Sequence, residues 1–319
     1  MNLKEFKDKY QKVQVEHFQH SSTDTPEVSV LVQTFNHGSY LEDCLKGILE
    51  QKTDFLIEII LGEDNSTDNT IEICRDYAKK FPEKIRLFLH HPSNKIKILG
   101  RTTGNFNAFY NLLNARGKYI AFCEGDDVWM DPYKIQKQVD LLKTGEDFAF
   151  TYHSFLEVRE DLQLIPQENF VEQPRKNIKS IELKKLIYHP LLSTVCFKNF
   201  FKEQIPEEII EVLNVDSCII SILGNYGCGY FQSEINSSLY RRHEGGIWSK
   251  KSKFSKYKSK ILTYSKLKKF YSNRGDKMVS QYFEQKIKWV QKMHIAGALK
   301  SGSFYVAIRA YMKMLLKNY

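Results

Sequence analysis

Glu124, Asp126 and Asp127 place three carboxylates within four residues, directly after the apolar run Tyr119-Ile120-Ala121-Phe122-Cys123. Carboxylates crowded together raise one another's pKa unless a positive charge sits among them. A divalent cation supplies that charge. An oxygen-only donor set suits Mg2+ or Mn2+, which accept few carboxylates and complete their shell with water and phosphate oxygens. A solvated acidic turn is the competing account of the same three residues. Two more polar clusters follow apolar runs in the same way: Gln33-Thr34-Phe35-Asn36 after residues 28–32, and Glu63-Asp64-Asn65-Ser66-Thr67-Asp68 after residues 55–61. Ser66, Thr67 and Asp68 are also the residue types of turns and helix caps. Downstream, Asp216 stands just ahead of an apolar run, where it could cap a helix or serve as a general base. The segment Tyr240-Arg241-Arg242-His243-Glu244-Gly245-Gly246-Ile247-Trp248 sets two guanidinium groups and an imidazole beside a glycine pair.

These groups need a frame. Residues 28–32, 55–61, 85–89, 119–123 and 148–152 are short apolar runs rich in β-branched and aromatic types, the pattern of buried strands. Between them Tyr40, Leu41, Cys44, Leu45, Ile48 and Leu49 recur at helical spacing, and residues 68–78, 106–113 and 135–142 are predicted helices. Residues 189–197 are predicted as a further strand, and the run from Asp216 through Leu223 as a helix. Such alternation with short loops predicts an α/β chain with a doubly wound, mostly parallel sheet and helices on both faces. Ligands of these sheets sit in the crevice beyond the strand C-termini, where all three polar clusters fall. No Gly-x-Gly-x-x-Gly and no Gly-x-x-x-x-Gly-Lys-Ser/Thr follows the first strand, which excludes the dinucleotide fingerprint and the P-loop.

The composition, 42% hydrophobic and 27% charged over 319 residues, is that of an ordinary soluble globular protein. No window approaches the roughly 18 uncharged apolar residues of a membrane span. Met1-Asn2-Leu3-Lys4-Glu5-Phe6 lacks the apolar core of a secretory signal. Six cysteines without a Cys-x-x-Cys spacing suit a reducing compartment, so a cytoplasmic location is expected. The net charge of +9 is unevenly placed. Residues 250–319 hold 18 of the 47 Lys and Arg but only Asp276 and Glu284 of the 38 acids. The body is therefore mildly acidic, and nucleic acid is not an expected partner. The chain divides into an N-terminal extension and linker at 1–27, a body at 28–249 and a basic helical extension at 250–319. Helices are predicted at 250–269, 278–299 and 304–316. Their basic faces are either simply solvated or drawn to an anionic membrane surface.

Taken in order, the three clusters, the Trp129-Met130-Asp131-Pro132 that follows the third, Asp216 and the segment 240–248 resemble an inverting glycosyltransferase of family 2, with the nucleotide-diphospho-sugar transferase (GT-A) fold. The resemblance runs from about residue 28 to 142 and resumes at Asp216 and 240–248. It implies a donor site in which Gln33 and Phe35 contact the nucleobase, Asp64 reads it, and Arg101 reaches the base or diphosphate. Asp126 takes the metal-ligand position of the family's Asp-x-Asp motif, with Asp127 beside it. Glu124 stands at the first acid, where the family usually has Asp, and would face the ribose. His243 would bind the metal or a phosphate, Arg242 or Arg241 would clamp the diphosphate, and Trp248 would cover the donor. Asp216 would be the general base. The loop 161–178 could order over bound ligand, and the remaining histidines, including the pair His90-His91, are given no role.

The expected function is transfer of a hexosyl or N-acetylhexosaminyl group from a nucleotide-sugar donor, a UDP-sugar first, to a hydroxyl of a glycan or lipid-linked glycan in surface polysaccharide biosynthesis. Mn2+ or Mg2+ is the expected cofactor. Two other classes compete. A catalytically silent sugar-nucleotide- or glycan-binding module would lack the base or the metal acid. A nucleotidyltransferase normally opens with a glycine-rich basic loop, where this chain has Gln33-Thr34-Phe35-Asn36-His37-Gly38.

Overall fold

The computed structural model describes residues 1–18, 20–145, 147–166, 175–243, 245, 253–302, 305 and 308. In chain order its elements are α1 (Leu3–Tyr10), β1 (Glu16–His17), β2 (Val28–Thr34), α2 (Leu41–Leu49), β3 (Ile57–Glu63), α3 (Thr70–Lys80) and β4 (Ile85–Leu89). The hairpin β5 (Lys97–Ile98) and β6 (Arg101–Thr102) leads to α4 (Asn105–Asn114), β7 (Tyr119–Phe122), α5 (Lys134–Thr144), β8 (Phe148–Tyr152) and β9 (Phe155–Val158). There follow α6 (Ser180–Lys184), β10 (Cys196–Lys198), α7 (Val215–Leu223), β11 (Cys228–Phe231) and β12 (Ser238–Arg241). Two long helices, α8 (Lys253–Asn273) and α9 (Lys277–Lys300), come last.

Eight strands form one sheet in the order β1-β4-β3-β2-β7-β10-β8-β11. The pairs β4-β3, β3-β2, β2-β7 and β8-β11 are parallel, while β10 runs antiparallel between β7 and β8 and β1 antiparallel along β4. The sheet is thus mostly parallel, as its sequence pattern requires. Strand alternation divides the core cleanly. Val28, Val30 and Val32 of β2 and Ile59 and Leu61 of β3 pack with α2, α3 and α5, whereas Leu31, Ile60, Ile120 and Phe122 face α4 on the other side. At Gly62 the α4 face comes so close that a Cβ would lie 1.9 Å from Asn107 Oδ1. The amide of Asn107 instead donates to the Gly62 carbonyl at 2.8 Å.

Several boundaries depart from expectation. The strand predicted over 189–197 is a 3-10 turn at Leu192–Thr194, closed by Thr194 Oγ1 donating to the Leu191 carbonyl, and only Cys196–Lys198 pairs in the sheet. Asp216 lies inside the first turn of α7, not ahead of it; Asn214 is the N-cap residue and makes no side-chain capping bond. The polar loop 161–178 lies partly outside the described residues, as does all of the helix predicted at 304–316 except Tyr305 and Ile308.

The first helix and the last two described helices join the central core. Phe6 of α1 is fully buried with its ring 5.3 Å from that of Phe106, and the N-terminal amine donates to the Ile205 carbonyl at 2.8 Å. At the other end, Leu267 and Tyr271 of α8 and Phe283 of α9 belong to the same cluster as α7. Tyr271 Oη donates to the Ser221 carbonyl at 2.7 Å. Gly275, at φ +77°, turns the chain from α8 to α9, which Asp276 caps by accepting from the Val279 amide. None of the described helices is long and apolar enough to cross a membrane.

Candidate active site at the C-terminal edge of the sheet

The ends of β2, β3 and β7 are stitched together by main-chain bonds. The Asp64 amide donates to the Thr34 carbonyl and the Gly125 amide to the Gln33 carbonyl, each at 3.0 Å. The loop after β2 is then pinned by the loop after β3. Asn36, at φ +55°, accepts from the Thr67 amide and donates its own amide to Ser66 Oγ; the His37 and Gly38 amides donate to Thr70 Oγ1 and Asp68. Ser66, Thr67 and Asp68 therefore do perform turn and capping chemistry. Their product is a rigid loop that fixes His37.

His37, Asp126 and His243 converge, with one candidate ligand atom from each lying within 4.8 Å of the others. His243 Nε2 is 3.0 Å and His37 Nε2 3.9 Å from Asp126 Oδ2. Glycine at 125 permits this approach, since a Cβ there would sit 2.8 Å from His37 Nδ1 and 2.9 Å from Thr34 Oγ1. Arg241 braces the cluster from behind. It bonds to the Asp126 carbonyl at 3.2 Å, Asp43 at 2.8 Å and the Glu160 carbonyl at 2.8 Å, and its guanidinium lies over Tyr40, whose ring packs on His243.

Burial alone would raise the Asp126 pKa, but the hydrogen bond from His243 and the neighbouring His37 bring it below the usual carboxylate value. Burial pushes His37 below 6.5, leaving a neutral imidazole able to bind a cation. For the other acids of this edge burial prevails. Burial raises Glu124 to about 8, with the charges of Asp126 and Asp216 adding to the rise. Asp127 is pushed well above its ordinary value by burial and by Asp126. Asp64 is raised to about 6 by burial, despite Lys95 Nζ at 3.2 Å.

Lys95 also lies 4.0 Å from the centre of the half-exposed Phe35 ring, so Phe35, Lys95 and Asp64 form a second group at this edge. Buried polar atoms collect here without a hydrogen-bond partner among the described residues: both amide atoms of Gln33, Thr34 Oγ1, His37 Nδ1, Asp64 Oδ1 and Asp127 Oδ1. Native folds pair nearly all such atoms, so a cluster of exceptions marks a place where a polar ligand completes the structure. Asp216 completes the crevice. It is half-exposed, with Oδ2 3.4 Å from His189 Nε2, which also meets Ser217 Oγ at 3.2 Å. Its position is set from α4, where Asn105 Nδ2 donates to the carbonyls of Ile210 and Val212, each at 2.7 Å.

The sequence model of Glycosyl transferase family 2 matches residues 29–202. The chain belongs to glycosyl transferase family 2. The uncharacterized protein Rv1520 of Mycobacterium tuberculosis is 26% identical over 258 residues, which cover 79% of this chain and 66% of that protein. The dTDP-rhamnosyl transferase RfbG of Shigella flexneri is 35% identical over 114 residues, 34% of this chain and 36% of RfbG. The chain thus spans less than two thirds of the length of either relative. In fold it is similar to S. aureus TarS 1-349, solved in complex with UDP-GlcNAc, at a TM-score of 0.53 and 14% identity over 92% of this chain and 93% of that one. That likeness bears on the architecture, which is the GT-A arrangement.

Within this family 2 chain the remaining expected residues are distributed unevenly. Gln33, Phe35, Asp64, Glu124, Asp126, Asp127, Asp216 and His243 all gather at the one edge. Arg101 is exposed at the start of β6, paired with Ile98 in the hairpin, and its side chain makes no hydrogen bond or ion pair to another described residue. Arg242 is held in a two-armed pair with Glu157, turned to a structural partner. Trp248 lies outside the described residues. His37, Lys95 and His189 were not anticipated. His37 carried one usable signal, directly following the first of the three polar clusters. Lys95 and His189 carried none, because loops distant in sequence bring them in.

Proposed function

We propose that this family 2 member is an inverting glycosyltransferase that moves a sugar from a nucleotide-diphosphate donor to a hydroxyl of a glycan. The observation that carries the reading is the convergence of His37, Asp126 and His243 at the sheet edge, with Glu124 close enough to feel both Asp126 and Asp216. His37, Asp126 and His243 are the residues that would hold a divalent cation, which when bound supplies positive charge against the departing diphosphate. To the Asp126 and His243 expected of the sequence this arrangement adds a second imidazole, His37, so the donor set is softer than carboxylates alone. It favours Mn2+ over the harder Mg2+.

The chain's own residues supply the rest. The Asp216 carboxylate takes the proton of the acceptor hydroxyl as that oxygen forms its bond to the anomeric carbon. The bond from that carbon to the diphosphate oxygen breaks on the opposite side, its electron pair leaves with the nucleotide, and the configuration inverts. His189 holds the base in position. Phe35 offers an exposed ring for stacking, and Gln33 and Asp64 offer unpaired polar atoms to a nucleobase edge. Uracil and thymine both present an N3–H that a carboxylate can accept. UDP-GlcNAc, bound in the TarS complex, and the dTDP-rhamnosyl donor in the name of RfbG contain these two bases. The relatives EpsH and TuaG of Bacillus subtilis, named as putative glycosyltransferases, the latter of teichuronic acid biosynthesis, support a role in surface polysaccharide assembly.

The test is a panel of nucleotide sugars offered to the purified chain, reading nucleotide diphosphate release with Mn2+, with Mg2+ and in excess chelator. Metal-dependent release with a UDP- or dTDP-sugar, lost in both Asp126→Asn and Asp216→Asn, is the expected result. Pyrophosphate release from a sugar phosphate and a nucleoside triphosphate would overturn it in favour of nucleotidyl transfer. Tight donor binding without turnover under any condition would point to a silent module.

A further inference from the structure

Helix α9 carries two apolar faces, and among the described residues only one has a partner. On the inner side Val279, Phe283, Val290, His294 and Ala298 are buried. At about 100° per residue, Met278, Trp289, Met293 and Ala296 fall within about 40° of the Trp289 direction, about 120° around the helix from the buried face. Three of them are large and open: Met278 is 55%, Trp289 56% and Met293 41% exposed. The stripe runs for about 27 Å at the rise of an α-helix. Lys286 and Lys292 lie about 60° to either side of Trp289, and Lys300 closes the far end.

The charge on this helix is one-sided. Glu284 is the sole acid in α9, and it is taken up by Lys268 at 3.3 Å and Lys288 at 3.2 Å. Lys286 Nζ lies 5.7 Å from the centre of the Trp289 ring and 5.4 Å from that of Tyr282, so the ammonium and the aromatic groups share one surface. A tryptophan and methionines in a line, flanked by lysines and free of acids, match the boundary between acyl chains and anionic headgroups. There the indole sits at headgroup level and the ammonium groups meet lipid phosphates. A second copy of the chain fits less well, because pairing two such faces brings Lys286, Lys292 and Lys300 against their like.

We propose that the outer face of α9, centred on Trp289 and Met293 and flanked by Lys286 and Lys292, docks the protein on an anionic bilayer surface. The helix lies in the plane of the interface. Its inner face stays packed on α8, so docking needs no unfolding, and its weak overall hydrophobicity keeps it on the surface instead of across it. Each lysine near a negatively charged leaflet contributes about fivefold in affinity, an effect that salt screens. The inference stands apart from the reaction assigned above, since it concerns residues far along the chain from Asp126 and Asp216 and is read without turnover.

The experiment is flotation of the full chain with phosphatidylcholine vesicles, with and without phosphatidylglycerol, together with tryptophan emission quenched by brominated acyl chains. Wild-type protein is expected to float with the anionic vesicles, at least tenfold more than with the neutral ones, and less as salt rises. Its emission should shift to the blue, a change absent in Trp289→Phe. The double variant Trp289→Glu, Met293→Glu should lose at least tenfold in flotation at an unchanged melting temperature, because both side chains are exposed. Lys286→Glu with Lys292→Glu should lose about 25-fold or more. No flotation with anionic vesicles, or equal flotation of the double variants, overturns the proposal. So does a wild-type dimer that the Trp289→Glu change splits, or binding to duplex DNA in the absence of vesicle binding.

Discussion

The two ends of the sheet treat buried carboxylates in opposite ways. At the start of β3, Glu58 is 2% exposed and surrounded by donors: Ser29 Oγ, Arg86 Nη1 at 3.0 Å, the Arg116 amide at 2.8 Å and Arg116 Nε at 2.8 Å. Burial works to raise its pKa, yet these partners carry it below the ordinary value. Ser29 Oγ in turn accepts from the Gly117 amide, which closes the network. At the ends of the same strands, Glu124 and Asp127 are raised by burial with no ion pair to a described residue, and Asp64 has one lysine. A buried acid costs stability unless donors compensate it, so the fold bears a cost at one edge that it avoids at the other. The difference separates a carboxylate that holds strands together from one kept ready for a ligand.

The sharpest way to break this contrast is to alter one acid at the open edge and ask whether stability notices. Asp216→Asn keeps size and loses the proton acceptor. Sugar transfer should fall by about 10³-fold or more, equivalent to ~4 kcal/mol in the barrier. Donor affinity, measured by calorimetry, and melting temperature should stay near wild type, because Asp216 is half-exposed and caps nothing. Near-normal turnover in this variant would remove Asp216 from the chemistry and leave the edge without a base.

Much of this contrast could be read from the chain before folding, and the part that could not has a physical reason. The strands β2, β3 and β7 declare themselves because both faces are covered, so residues such as Val30, Ile60 and Ala121 give unbroken apolar runs. Asp64 and Asp126 closely follow two of these runs, and Asp216 stands at the head of the apolar run of α7, so their places in the fold can be read from the chain. Strand β10 was blurred because Ser193 and Thr194 bend the chain into a turn just before it. His37, Lys95 and His189 arrive from loops, where spacing carries no period. Arg241 and Arg242 look interchangeable in sequence, and the fold separates them. Arg241 is buried against Asp126, while Arg242, one residue on, points to Glu157.

The closed edge gives the converse test. Glu58→Ala removes the acceptor from Ser29, Arg86 and Arg116 together, leaving a hole and unpaired donors. The loss should be about 3 kcal/mol in urea unfolding, toward the lower end for a broken buried pair because Arg86 and Arg116 can still reach water. Activity per folded molecule should be unchanged. A large loss of turnover at normal stability would mean that the two edges are coupled.

Asp64 allows the cost at the open edge to be read by pH. Its carboxyl is held at about 6 in the fold against 3.8 in the unfolded chain, so the folded state binds the proton more tightly. The associated stability is present below the unfolded value and is lost as pH rises through 6. Relative to Asp64→Asn, wild type should therefore lose about 1.4 kcal/mol between pH 5 and pH 8. His90 and His153, both lowered to about 3 by burial, destabilise the fold in acid, but they are common to the two proteins and cancel in the difference. A difference that does not vary with pH would mean that Asp64 is as well satisfied as Glu58.

The smallest effect falls where the two kinds of carboxylate meet. Glu157 is 7% exposed and pairs through two arms with Arg242, which is itself more than half exposed. By its partner the pair resembles the closed edge, yet by position it adjoins His243. If Arg242 serves structure alone, Arg242→Ala should cost about 1 kcal/mol or less, since water screens the outer half of the guanidinium. Nucleotide diphosphate affinity should then stay within about threefold of wild type, because the arginine that braces Asp126 is Arg241. If the group instead swings to the diphosphate when donor binds, affinity should drop by about tenfold or more while stability barely moves, as a charge-assisted bond to phosphate is worth more than an exposed ion pair. Calorimetry of the nucleotide diphosphate against wild type and Arg242→Ala, beside their urea midpoints, decides between these. It shows whether the open edge ends at His243 or extends one residue back along β12.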